Sequence, residues 1–282
     1  MLRKVIQISD KTLVLSLPAE WTKKYNISKG DSLEVQERDS FLITSSSENL
    51  SPSKVSIDIS GISPKAIKRV LGGAFKSGYD EIELRVSSKE DIDAVKKTLS
   101  ISIKTFEILG QTDTSLILKN LAEIRYDEFD QMLRRIFLLL LKSMQDTVSA
   151  NSQDDLDAII ETDLEINNCA DYCRRILNKK GYAVFAKTPA VYYIVEQLEK
   201  IGDLIRDFAK ENNKKDFKIY SEVAQFLRDF YELYYTFELK KFDLWISKFE
   251  GLSQKSKNCS HLISSIVEEI YALNGALLVC RL

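Results

Sequence analysis

Three hydrophobic rhythms follow one another along this chain of 282 residues. From Leu2 to Thr44 the apolar residues fall in short runs, namely Val5-Ile6 with Ile8, Leu13-Val14-Leu15 with Leu17, Leu33 with Val35, and Phe41-Leu42-Ile43. Runs of this kind predict strands. Asp10-Lys11 and Lys29-Gly30-Asp31 predict turns, and Pro18 predicts the N1 position of one small helix, Ala19 to Tyr25. Ser45 to Ser53, serine-rich and carrying Pro52, predicts a linker. Beyond it, Val55-Ser56-Ile57-Asp58-Ile59 and Ile82-Glu83-Leu84-Arg85-Val86 alternate as half-buried strands. Ser63-Pro64 and Ser88-Lys89-Glu90-Asp91 are helix starts, so helices are expected to about Ser77 and about Leu99. Strands over Lys104–Leu109 and Ser115–Leu118 complete the order β-α-β-α-β-β, a small α/β layer module.

From Tyr126 the period lengthens to that of a helix. Phe129, Leu133, Ile136 and Leu140 mark one core face; Leu156, Ile159, Ile166, Ala170, Cys173 and Leu177 mark a second, ended by Gly181. After Thr188-Pro189 a third helix carries Ile194, Leu198, Ile201, Ile205 and Phe208. A long aromatic helix with Tyr220, Phe226, Phe230, Tyr234 and Phe237 is expected to break near Gly251, and a last helix to run from Ser260 to Leu282. The aromatic stripe reads as core. The resulting division is 1–46, 53–120 and 121–282.

The third helix has a second face. Glu196, Glu199, Asp203 and Asp207 form an acidic stripe opposite the apolar one. Glu199 with Asp203, and Asp203 with Asp207, are like-charge pairs one turn apart, each unfavourable by a few tenths of a kcal/mol. Arg206 and Lys210 stand beside them and offset part of this. Two readings are open: a solvated bundle face, or carboxylates that close on a hard cation through oxygen ligands. Gly202 lies between the two faces, where glycine costs about 1 kcal/mol relative to alanine. Its presence predicts a close approach by another backbone or side chain.

Composition narrows the function. Apolar residues make up 44% and charged residues 29%, with a net charge of -2, so nucleic-acid binding would need a local basic patch. The apolar run Ile136–Leu141 is far short of the roughly 20 residues that span a bilayer. The N-terminus enters a structured pattern at once, so neither a signal peptide nor membrane insertion is expected. Cys169, Cys173, Cys259 and Cys280 have no zinc spacing and read as free thiols of a cytoplasmic protein. His261 is the single histidine, which excludes a histidine-based triad or a multi-histidine metal centre within one chain. Gly72-Gly73 has no phosphate-loop context. No nucleophile elbow or zinc-hydrolase helix is present, and the chain is expected not to be an enzyme.

The order LSLPAEW, ISKGDSLEV and FLIT, spanning Arg3 to Thr44, resembles the AbrB/MazE/SpoVT swapped-hairpin DNA-binding domain. A unit this short cannot bury enough surface alone. The resemblance implies that hairpins from two chains interleave into one β-barrel, hence a homodimer suited to a pseudo-palindromic DNA site. It also places the DNA face around the first strand and its turn, nominating Arg3, Lys4 and Lys11. The alternative is that these are ordinary surface charges and the barrel only dimerises.

The residues Glu199-Lys200-Ile201-Gly202-Asp203 resemble the E-R-I-G-D helix of the PhoU family of phosphate-uptake regulators, with Lys200 in place of arginine. Upstream, IIETDLEIN resembles the first signature helix of that family, with Asp163 as its first acid and Asn167 in place of its second. The resemblance implies antiparallel three-helix bundles and a divalent or iron-type metal, with Asp163, Asn167, Glu199 and Asp203 as candidate ligands. A neutral Asn167 weakens such a site. In the second half, Ala272 stands where the repeated motif would carry aspartate, so that half reads as a degenerate repeat that packs without metal.

Together these resemblances imply a multidomain α+β chain: a swapped-hairpin β-barrel, a small α/β sandwich module and C-terminal PhoU-like helix bundles. The function they imply is a non-enzymatic, dimeric DNA-binding regulator of phosphate uptake. The rival reading is an adaptor whose bundle docks a phosphate transporter or sensor protein while the barrel only dimerises.

Overall fold

A computed structural model describes residues 2–38, 41–46, 54–122, 128–211 and 213–282. Most of the serine-rich linker, the entry to the helical region and Asn212 lie outside the described residues. The chain divides into two units, Met1–Leu50 and Ser51–Leu282.

In the first unit, β1 (Val5–Ser9) pairs antiparallel with β2 (Thr12–Leu15), and β3 (Glu34–Arg38) pairs antiparallel with β4 (Phe41–Ser45). Among the described residues these are two separate two-stranded sheets that close no barrel. Helix α1 (Ala19–Lys24) lies between them and buries no residue. Pro18 stands one position earlier than expected: it is the N-cap, in extended backbone with ψ 127°, and its carbonyl accepts from the Thr22 amide at 3.0 Å. Gly30 has φ +99°, a left-handed value that favours glycine, in the turn where Asp31 accepts from the Ser28 amide at 2.7 Å.

The second unit opens with a four-stranded sheet in the order β5 (Lys54–Asp58), β6 (Glu81–Arg85), β8 (Ser115–Asn120), β7 (Phe106–Gln111). β5 and β6 are parallel and the other pairs antiparallel. Helices α2 (Pro64–Lys76) and α3 (Lys89–Ser102) supply Ile67, Leu71, Phe75, Val95 and Leu99 to a core shared with Ile82, Leu84, Leu116 and Leu118. The sequence order β-α-β-α-β-β therefore holds. Ser63 caps α2 by accepting from the Ala66 amide at 3.3 Å, and Ser88 with Asp91 forms a complete capping box on α3.

Among the described residues, seven α-helices follow: α4 (Glu128–Ser149), α5 (Gln153–Lys180), α6 (Thr188–Glu211), α7 (Phe217–Tyr235), α8 (Leu239–Ser256), α9 (His261–Ala272) and α10 (Asn274–Arg281). One hydrophobic core runs through them and includes the apolar stripes predicted for α4, α5 and α6. Gly202 explains itself here: a Cβ would lie 3.3 Å from Ile166 on α5 and 3.4 Å from Leu140 on α4. Gly181, at φ +77°, ends α5 as expected.

Two helix boundaries depart from expectation. The aromatic helix breaks at Thr236, where φ is -131° and ψ 70°, and α8 continues through Gly251. A Cβ on Gly251 would meet nothing within 4 Å, so this exposed glycine costs propensity without forcing a break. The last helix is two, because Leu273 separates α9 from α10.

The expectation that no segment approaches spanning length also needs correction. His261–Arg281 is long and apolar enough to cross a membrane by length and composition, with mean hydropathy 1.5 in its most apolar window. Ser264, Ser265 and Glu268 break up its apolar runs, which hid it from a search for one continuous stretch. Ile263, Ile266, Val267, Ile270 and Leu277 from this segment are buried in the bundle core.

α5 joins the α/β module to the bundle. Arg175, 1% exposed, donates to the Phe75 carbonyl at 2.7 Å and to Asp80 at 2.8 Å, and its guanidinium lies over the rings of Phe75 and Phe106. Lys179 also pairs with Asp80, and Asn178 donates to the Lys76 carbonyl at 2.9 Å. Tyr172 packs against both cores.

Candidate nucleic-acid interface and acidic helix seam

Arg3, Lys4 and Lys11 are all exposed on the first hairpin. Arg3 and Lys4 precede β1, whereas Lys11 sits at the hairpin tip, beside the Ser9–Thr12 pair. At about 3.3 Å per strand residue, Lys4 and Lys11 are about 20 Å apart. One chain thus places the three cations at the two ends of a ribbon and does not gather them into one patch.

The ribbon between them is apolar on both faces. Val5 pairs with Leu15 and Gln7 with Leu13 on one face, while Ile6 pairs with Val14 on the other. Val5 is 62% exposed, Ile8 71% and Leu13 67%. In the second hairpin Val35, Phe41 and Leu42 are exposed as well. Two-stranded ribbons are marginal in water by themselves.

The four candidate metal ligands lie on α5 and α6. Asp163 is buried, and its Oδ2 accepts from Arg206 Nη1 at 2.8 Å. Arg206 also pairs with Asp203, and its Nε donates to Asp207 at 3.0 Å. Glu199 pairs instead with Arg174, which is 1% exposed, reaches Asp171 at 2.7 Å and pairs with Glu196 too. Asp163 Oδ1 and Asn167 Oδ1 are buried without a hydrogen-bond partner. The structure therefore brings Asp163 and Asp203 together on one arginine and assigns Glu199 to another.

These pairings set the electrostatics. Burial raises the Asp163 carboxyl above its ordinary value, and the hydrogen bond and charge of Arg206 offset part of that rise. The Arg206 hydrogen bond holds Asp207 below its ordinary range. Burial works against the Arg206 charge, but the bonds to Asp207 and Asp163 outweigh it and leave the guanidinium more basic than usual.

The residues do not fit a metal ion. A hard cation needs several oxygens converging on one point. Here the carboxylates are claimed by two separate guanidinium groups, and Asn167 adds only a neutral oxygen. Among the described residues, no group of three or more His, Cys, Asp or Glu side chains could hold a metal. On α9, Glu269 pairs with Lys200 and accepts from Gln197 at 2.9 Å, both on α6.

Sequence reading placed Arg206 beside the stripe but missed Arg174. The signal was available: Asp163, Asn167, Asp171 and Arg174 recur at spacings of four, four and three, which is one helical face.

Residues 6–50 match the family described as antidote-toxin recognition MazE, bacterial antitoxin. No curated protein and no solved structure matches the chain. The family match covers the two hairpins and α1, and the helices from Glu128 onward lie outside it.

Proposed function

We propose that this chain is a non-enzymatic, dimeric DNA-binding regulator acting in the cytoplasm. One observation carries the reading. The segment that matches an antitoxin family is also the segment whose apolar side chains lie outside. Burying both faces of each ribbon requires another surface, and a second copy supplies the same apolar residues in two-fold register. Interleaving two copies as a swapped-hairpin barrel would double the cations Arg3, Lys4 and Lys11. The lone chain separates these cations, whereas the dimer presents them at related positions suited to a pseudo-palindromic site. Phosphate homeostasis enters as the finer part of the proposal, supported by the sequence resemblance of α5 and α6 to PhoU signature helices and by their pairing in one bundle.

The test is binding of the full chain to its own upstream DNA across a salt series. Lys4→Ala and Lys11→Ala should each weaken binding and lower the log–log salt slope by about 2, one phosphate contact from each protomer. Binding at promoters of phosphate-transport genes would support the finer reading. A dimer that binds no DNA at low salt would favour the adaptor, in which the barrel only dimerises.

A further inference from the structure

We propose that the outer edge of β7, with the groove beside it, is a docking site for an extended acidic peptide of a partner protein. The site lies within the α/β module and does not depend on DNA binding.

β7 ends the strand order β5-β6-β8-β7, so one of its edges has no strand beside it among the described residues. Pairing with β8 fixes which backbone groups meet that edge. The Thr105 carbonyl accepts from the Leu121 amide at 2.9 Å, so residue 105 turns toward β8. By alternation Glu107, opposite Lys119, turns the same way. Phe106 and Ile108, opposite Asn120 and Leu118, turn their backbone groups outward. The Phe106 amide is already engaged, donating to the Ile103 carbonyl at 3.1 Å. The Phe106 carbonyl and both backbone groups of Ile108 are left as a template for an added strand. The register shift between Ile108 and Gly110 ends the regular run, which confines pairing to the stretch beside α3.

That stretch borders a groove of about 350 Å3 against the last turns of α3. Leu99, Phe106 and Ile108 line its apolar part, and Lys96, Ser100 and Lys104 its polar part. Lys96 and Lys104 are exposed, have no ion-pair partner among the described residues, and outnumber Glu107, the acid in the lining. On the opposite edge strand, by contrast, Lys54 is paired with Glu81 and Glu83 of β6. Main-chain pairing supplies affinity at such an edge, and the neighbouring side-chain groove supplies specificity. The groove takes an apolar residue, and the two unpaired ammonium groups select carboxylates on either side of it. A second copy of the chain is the poorer occupant. Pairing β7 antiparallel with itself through Phe106 and Ile108 would set the two Glu107 side chains directly opposite each other.

The probe is a synthetic peptide, acetyl-Asp-Glu-Val-Ile-Val-Asp-Glu-amide, fluorescently labelled and titrated to millimolar concentration against the full chain. Anisotropy should show saturable binding, and the Ile108 amide should exchange more slowly once peptide is bound. Replacing the peptide's acids by lysine should weaken binding about tenfold or more, as should Lys96→Glu combined with Lys104→Glu. N-methylation of alternate peptide residues should weaken binding strongly in one phase and little in the other, because only one set of amides faces β7. Ser100→Trp, at an exposed position, fills the groove and should abolish binding while leaving the Tm unchanged. No saturable binding, or binding that Ser100→Trp leaves intact, would overturn the proposal. So would an Ile108 amide that already exchanges slowly without peptide, which would mean that the chain or its copy covers this edge.

Discussion

Ile8 and Ile201 carry the same side chain in opposite circumstances. Ile8, in the first hairpin, is 71% exposed, whereas Ile201, on α6, is 0% exposed. The contrast extends to the two units that contain them. Residues 54–282 complete two hydrophobic cores within one chain, tied together by Arg175 and Tyr172. The hairpin unit offers apolar surface on both faces of its ribbons and buries none of α1. One unit's stability is intramolecular and independent of concentration; the proposed dimer would tie the other's to the concentration of a partner copy. A regulator divided this way can lose dimerisation and DNA binding while its helical unit stays folded.

The comparison can be broken most severely from the hairpin side. Leu13→Asp places a charge in the surface that a second copy should cover, and two-fold symmetry introduces it twice. We expect a loss on the order of 5 kcal/mol per dimer, with monomers seen by light scattering and unchanged unfolding of the helical unit. Ile201→Ala should do the converse. It removes a fully buried side chain and should cost about 4 kcal/mol by urea unfolding, leaving dimerisation intact.

Arg175→Ala sharpens the boundary inside the second unit. It strips two hydrogen bonds and a cation from two aromatic rings, and should cost about 3 kcal/mol. Its specific signature is that the α/β module then unfolds before the bundle, visible as separated transitions.

The smallest effect concerns a helix cap. Ser88→Ala should cost about 1 kcal/mol. The Asp91 carboxyl is held below its ordinary value chiefly by the Ser87 amide. A depressed carboxyl stabilises the fold above its unfolded value of 3.8, and this contribution is lost as pH falls through the folded value. Acid unfolding of Asp91→Asn should accordingly lack that part of the pH dependence.

Much of this architecture was legible because it is local. Ser63-Pro64, the Ser88–Asp91 capping box, Gly181 and the 3.6-residue stripes of α4 to α6 state their roles within a few residues. The need of the hairpin unit for further surface was legible too, in a unit too short to bury enough of its own. What escaped depends on distant partners. The Arg175–Asp80 pair spans 95 positions and Arg206–Asp163 spans 43. The acidic stripe was read correctly as a pattern, yet spacing on α6 could not show that α5 answers it with Arg174. The break at Thr236 carried no glycine or proline, while Gly251, which looked like a break, sits inside an exposed helical turn.

Sedimentation equilibrium of the full chain over a wide concentration range tests the central claim most directly. The account predicts a reversible monomer–dimer equilibrium, with Leu13→Asp monomeric throughout and its helical unit still folded. A wild-type chain that remains monomeric at every concentration, with its hairpins ordered and their apolar faces open to water, would contradict it.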